Sequence, residues 1–172
     1  TRHSSLYRQH RGKFIEVPGC AAAPPSIFTS RNVGVLDYDG DGLLDLLIVE
    51  DKFTKFPRTA LFRNKGDFKF EDVTGKAGLP EDLFGLALAV GDVNGDGRPD
   101  FFIAHSNRLF VNDGGKFIEV RSDVFDHHPT DGEDWPCGAA FADLNRDGRL
   151  DLVVTAHHEG ARNRVFLGDG KG

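Results

Sequence analysis

Short apolar runs of four to six residues alternate along the chain with polar stretches rich in Gly, Asn and Asp, and their order recurs. A first run is Val33–Leu36, repeated as Leu86–Val90 and Ala139–Ala142. A second is Leu46–Val49, repeated as Phe101–Ala104 and Leu152–Thr155. The third is Leu61–Asn64, Leu109–Asn112 and Val165–Gly168, and the fourth is Phe68–Val73 and Lys116–Val120. These runs are β-branched or aromatic and too short for helices, so the pattern predicts strands. The unit is a four-stranded meander of roughly 50 residues, the size of a propeller blade. Near the N-terminus, Leu6–Arg8 and Lys13–Val17 read as third and fourth strands of a preceding unit. Gly12–Val17 is the same hexapeptide as Gly115–Val120.

The expected fold is all-β: about three four-stranded blades of a β-propeller, an incomplete window on a longer array. Residues 1–17 would close a preceding blade. Blades would then occupy 18–75 and 76–123, with an incomplete one at 124–172. The chain does not begin with Met, which fits a window cut from a longer array. Open ends of such an array expose strand edges, so the remaining blades or self-association are expected to cover them. Most Phe side chains should pack between sheets, namely Phe62, Phe68, Phe70, Phe101, Phe110, Phe117, Phe141 and Phe166.

The polar stretch between first and second runs carries the chemistry. It reads Asp37-Tyr-Asp-Gly-Asp-Gly-Leu-Leu-Asp45, then Asp92-Val-Asn-Gly-Asp-Gly-Arg-Pro-Asp100, then Asp143-Leu-Asn-Arg-Asp-Gly-Arg-Leu-Asp151. Oxygen donors at alternate positions of a tight loop converge on one point, and calcium takes six to eight oxygens at 2.3–2.6 Å. The candidate ligands are Asp37, Asp39, Asp41, the Leu43 carbonyl and Asp45 in loop 1. Loop 2 offers Asp92, Asn94, Asp96, the Arg98 carbonyl and Asp100. Loop 3 offers Asp143, Asn145, Asp147, the Arg149 carbonyl and Asp151. An EF-hand would need Glu at position 12, where Ile48, Ile103 and Val154 stand. Charge supports a cation: the chain carries −6, yet outside the ten loop aspartates it carries +4. Three Ca²⁺ would bring the total to zero, and without them the clustered carboxylates repel.

This pattern of small-apolar strand, Asp-x-Asp/Asn-x-Asp-Gly-x-x-Asp and apolar strand resembles the FG-GAP/VCBS repeats of integrin-α-type β-propellers. The trailing Leu61-Phe62-Arg63-Asn64 and Phe70-Glu71-Asp72-Val73-Thr74 are similar to the bacterial and cartilage-acidic-protein branch of that group. The resemblance implies a ring of about seven blades when complete, in an extracellular, cell-surface or periplasmic scaffold that carries calcium and serves recognition or adhesion.

Meander topology puts the Asp-rich loops and third-to-fourth turns on one face, where Tyr38 and Arg146 would be exposed non-ligands. The opposite face collects Glu50, Asp51, His105, Ser106, His157, His158 and Glu159, with the connector holding Asp126, His127, His128, Asp131, Glu133, Asp134 and Trp135. Loops on a rigid scaffold are where binding concentrates, so a protein or glycan ligand is expected there. No spacing in this set matches a hydrolase or phosphate-binding motif, so no catalytic or cofactor-binding residue is assigned. A scaffold is the favoured reading; the propeller domain of a secreted polysaccharide lyase or hydrolase is the alternative. The acidic balance argues against nucleic acid as partner. No apolar run is long enough to span a membrane as a helix. Cys20 and Cys137 lie in connectors two blades apart, which favours separate fates over a mutual disulfide.

Overall fold

The computed structural model describes residues 5–18, 30–51, 53, 57–125, 135–157 and 162–172. Among them the chain is all-β, in four antiparallel sheets. The first sheet is the hairpin β1 (Tyr7–His10) and β2 (Lys13–Glu16). The second is a meander of β3 (Ser30–Leu36), β4 (Asp45–Glu50), β5 (Thr59–Asn64) and β6 (Phe70–Asp72). The third repeats it with β7 (Ala87–Gly91), β8 (Asp100–Ala104), β9 (Arg108–Asn112) and β10 (Phe117–Val120). The fourth holds β11 (Pro136–Ala142), β12 (Asp151–Ala156) and β13 (Arg164–Phe166). These are the expected partial blades. No helix among the described residues is long and apolar enough to cross a membrane.

Register places the Asp-rich loops identically. Leu36 pairs with Asp45, Gly91 with Asp100 and Ala142 with Asp151, so each loop caps the same hairpin and its last Asp opens the second strand. Neighbouring blades meet through their first strands, β3 beside β7 and β7 beside β11. Gly34 sits at the first contact, where a Cβ would come within 2.7 Å of Leu88 Cδ2 and 2.9 Å of Val90 Cγ2. Only the missing side chain lets these strands approach.

Apolar side chains fill the space between sheets. Leu36, Leu47, Val49 and Leu61 pack with Phe101, Ile103, Phe110 and Phe117 between the first two full blades. Phe102, Ala104 and Leu109 pack with Leu152 and Val154 at the next interface. Phe101 stacks on Phe110 at 4.9 Å and meets Phe117 edge-on at 4.8 Å, a geometry that adds about 1 kcal/mol per pair beyond burial.

Three expectations are corrected. Phe68 is exposed rather than in the core, because Gly66, Asp67 and Phe68 all take positive φ to close the β5–β6 hairpin. The fourth run therefore contributes only Phe70–Asp72 as strand. Tyr38 is buried in the cluster of Leu36 and Leu47, not displayed beside loop 1. Glu50 and Asp51 are also buried rather than presented on the face expected to bind a ligand. Glu50 Oε2 accepts the Arg58 N–H, and Asp51 pairs with Arg31 Nε at 2.6 Å. Buried carboxylates need such partners, which commits both residues to the fold.

Candidate metal centre

Each loop is organised by its first and ninth aspartates. In loop 1, Asp37 Oδ1 accepts the N–H groups of Gly40 and Asp41, and Oδ2 accepts that of Gly42. Asp92 repeats this with Gly95, Asp96 and Gly97. Asp143 does so with Asp147 and Gly148. The glycine at the sixth position has φ of 83° to 84° in all three loops, the left-handed conformation this wrap requires.

The ninth aspartates are fully buried. Asp45 Oδ2 accepts the Tyr38 N–H at 3.0 Å and Oδ1 the Asn64 N–H at 2.7 Å. Asp100 holds Val93 and Asn112 in the same way, and Asp151 holds Leu144 and Gly168. One carboxylate thus ties the start of each loop to the end of the third strand. Burial pushes the Asp45 carboxyl above its ordinary range, with Asp39 and Asp41 adding repulsion. Asp100 is raised by burial in the same way, helped by Asp96 and Asp92. A raised acid is held protonated more firmly when folded, so ionising it at neutral pH costs stability that a bound cation would offset.

The remaining ligand candidates differ between loops. Oxygens of Asp37, Asp39 and Asp45 lie within 4.8 Å of one another, and Asp39 Oδ1 is buried without a hydrogen-bond partner. Two oxygens on one calcium at 2.3–2.6 Å stand at most about 5 Å apart, so this trio fits a shared ion. Asp39 Oδ2 faces Arg63 Nε at 2.7 Å, an ion pair without hydrogen-bond alignment, and Arg63 Nη2 reaches Asp41 Oδ2 at 2.8 Å. In loops 2 and 3 the third position is an amide turned toward the fifth. Asn94 Nδ2 donates to Asp96 Oδ2 and Asn145 Nδ2 to Asp147 Oδ2, each at 2.9 Å. Arg98 and Arg149 contact those same Oδ2 atoms at 2.5 Å and 2.6 Å. Asp41 and Asp96 are held below the usual carboxylate range, first by the N–H groups of Leu43 and Arg98. Asp147 is lowered first by the Asn145 amide.

Two features escaped the sequence reading. Asn112 is buried, and its Nδ2 donates to the Tyr38 carbonyl of the preceding blade at 2.9 Å, so one blade's third-strand end braces its neighbour's loop 1. The repeated Leu-Phe-x-Asn of Leu61–Asn64 and Leu109–Asn112 was the available signal. Arg63 is the second: the sequence pattern marks it only as a third-run residue within the Leu61–Asn64 motif.

On the opposite face, Phe53 lies against Trp135 with ring centroids 5.4 Å apart, and the His157 N–H donates to the Trp135 carbonyl. His105 takes φ 81° in the β8–β9 turn, 6.1 Å from the Phe84 ring. Cys137 is exposed. Asp126, His127, His128, Asp131, Glu133, Asp134, His158, Glu159 and Cys20 lie outside the described residues.

Repeated four-stranded meanders whose first strands pack side by side, each capped by a nine-residue Asp loop, define a blade-repeat protein of the β-propeller class. The FG-GAP-like repeat pattern matches residues 37–103 and 104–154, and the FG-GAP repeat pattern matches 138–171. The chain belongs to the FG-GAP-like repeat family. It is similar to cartilage acidic protein 1 of Mus musculus, 28% identical over 142 residues, 74% of this chain and 21% of the relative. The Homo sapiens protein of that name shows the same identity and coverage. A T-cell immunomodulatory protein homolog of Plasmodium yoelii yoelii is 26% identical over 162 residues, 79% of this chain and 23% of that protein. The chain thus spans about a fifth of the length of these curated relatives.

Proposed function

We propose that this is a calcium-binding propeller module that acts as an extracellular scaffold for protein or glycan recognition. The observation that carries the reading is the trio Asp37, Asp39 and Asp45, each with a carboxylate oxygen within 4.8 Å of the others, in a loop where Asp39 Oδ1 is buried without a hydrogen-bond partner. In loop 1 Asp37, Asp39, Asp41, the Leu43 carbonyl and Asp45 would hold the ion. Loop 2 would use Asp92, Asn94, Asp96, the Arg98 carbonyl and Asp100. Loop 3 would use Asp143, Asn145, Asp147, the Arg149 carbonyl and Asp151. Bound calcium supplies charge neutralisation and a rigid cross-link, which favours a structural over a catalytic role. Such modules bind at roughly 10⁻⁴–10⁻³ M, which suits extracellular calcium. The relative named for cartilage favours the same surroundings.

Recognition falls to the face opposite the loops, with Trp135, Phe53 and His157 as first contacts. The edge of β13 and a groove of about 260 Å³ bordered by Leu109, Leu152 and Phe166 would receive a further strand, from additional blades or a second copy. Leu152 and Phe166 are the counterparts of the Phe101–Phe110 pair on which Phe117 packs.

Thermal melts in millimolar CaCl₂ and in chelator test the calcium reading. A higher Tm with calcium is expected, and superimposable curves would contradict it.

A further inference from the structure

Between loop 1 and the other two loops, an arginine and an aliphatic residue exchange places. The seventh loop position is Leu43 in loop 1 but Arg98 and Arg149 in loops 2 and 3. The residue just before the third-strand end is Arg63 in the first full blade but Val111 and Leu167 in the next two. Those ends are fixed as equivalent by contact, since the N–H groups of Asn64, Asn112 and Gly168 each bond the ninth Asp of their own loop.

The exchange preserves one arrangement. In all three loops a guanidinium lies on Oδ2 of the fifth-position Asp, at 2.8, 2.5 and 2.6 Å. In loops 2 and 3 the same arginine also reaches the third strand or the chain just past it: Arg98 Nε donates to the carbonyl of Asn112, the last residue of β9, and Arg149 Nε to that of Gly168, two residues beyond β13. Arg63 makes this loop-to-strand link from the other end, standing on β5 and reaching into the loop. It also takes Asp39 Oδ2, the carboxylate that loops 2 and 3 replace with Asn94 and Asn145. With Oδ2 engaged, Asp39 Oδ1 is left buried without a hydrogen-bond partner, and Asp39 belongs to the trio with Asp37 and Asp45.

We propose that Arg63 is the positioning residue of the loop 1 calcium site, acting from β5 as Arg98 and Arg149 act from within their loops. The inference rests on the calcium reading above. Arg63 holds two like-charged candidate ligands by their Oδ2 atoms, while Asp41 Oδ1 takes the Leu43 N–H and Asp39 Oδ1 is left without a hydrogen-bond partner. Partners of ligating groups typically contribute 10–100-fold in metal affinity. The role uses two separate nitrogens, Nε in an ion pair with Asp39 Oδ2 and Nη2 hydrogen-bonded to Asp41 Oδ2, where a lysine ammonium is a single point charge.

Terbium bound in full-length protein serves as a loop-selective probe. Tyr38 is the second residue of loop 1 and can sensitise it, whereas Val93 and Leu144 hold that position in loops 2 and 3. Calcium displacement of the signal then gives the affinity of loop 1. R63V, the residue native to the second full blade, is expected to weaken that affinity on the order of 10–100-fold. The exchange variant L43R/R63V should recover most of the loss, since Leu43 is exposed and an arginine there has room. R63K should stay weak although it keeps the charge, and it carries the test should valine unfold the chain. Unchanged or tighter binding in R63V and R63K would overturn the proposal, as would an exchange variant no better than the single one. Failure of the wild-type chain to bind terbium or calcium would instead overturn the calcium reading itself.

Discussion

Loop 1 and loops 2 and 3 share backbone, register and a ninth-position clamp, yet they manage charge differently. Loop 1 carries four aspartates and borrows Arg63 from β5. Loops 2 and 3 carry three each, put Asn94 and Asn145 at the third position, and keep their own arginine. The difference separates two jobs within one motif. Asp45, Asp100 and Asp151 are structural in every blade, because each satisfies two backbone N–H groups in a buried setting. On the proposed calcium reading, the third position, Asp39 against Asn94 and Asn145, is where the loops would differ in cation affinity.

Removing a clamp should therefore have the largest effect, in chelator as well as in calcium. D100A leaves the Val93 and Asn112 N–H groups buried and unpaired, at about 1–3 kcal/mol each. Urea unfolding in chelator should show a loss of roughly 3 kcal/mol. A loss seen only in calcium would mean that Asp100 acts solely as a ligand. D39N should instead be mild or stabilising in chelator, because it removes one of the mutually repelling carboxylates.

Converting one loop type into the other has a middle-sized effect. N94D adds a carboxylate to loop 2 and deletes the amide donor to Asp96. In chelator it should cost about 1 kcal/mol. Its calcium affinity should rise about tenfold, since ligand charge tunes such sites. Calorimetric titration of wild type and N94D decides this, and equal affinities would remove the distinction drawn between the loops.

The smallest effect is expected outside the loops. Arg108 grips Glu119 at 2.9 and 2.7 Å and holds its carboxyl below the usual range. A lowered acid contributes stability that is complete above the unfolded value and is lost as pH falls through the folded one. Exposure of the pair limits this to under about 1 kcal/mol. E119Q should flatten that part of the acid limb while leaving the calcium-induced shift in Tm intact.

Much of this was legible in the sequence because blades repeat. Copies of one pattern fixed strand order, loop position and register, as the matching Leu36–Asp45, Gly91–Asp100 and Ala142–Asp151 pairs illustrate. What the repeats did not carry was misread or missed. Phe68 looked like a strand residue, but the hairpin needed three left-handed residues and consumed it. Glu50 and Asp51 looked like surface acids, yet Arg58 and Arg31 receive them inside the fold. Arg63 went unnoticed because its partners are 22 to 24 residues earlier in the chain, a separation that only the β4–β5 pairing closes.

The most direct test of the account is the number of calcium ions held by one chain, counted by native mass spectrometry or equilibrium dialysis with labelled calcium. The account predicts three, falling to two in a loop 1 variant that lacks Asp37 and Asp39. No bound calcium at millimolar concentration, or a count unchanged by that variant, would contradict it.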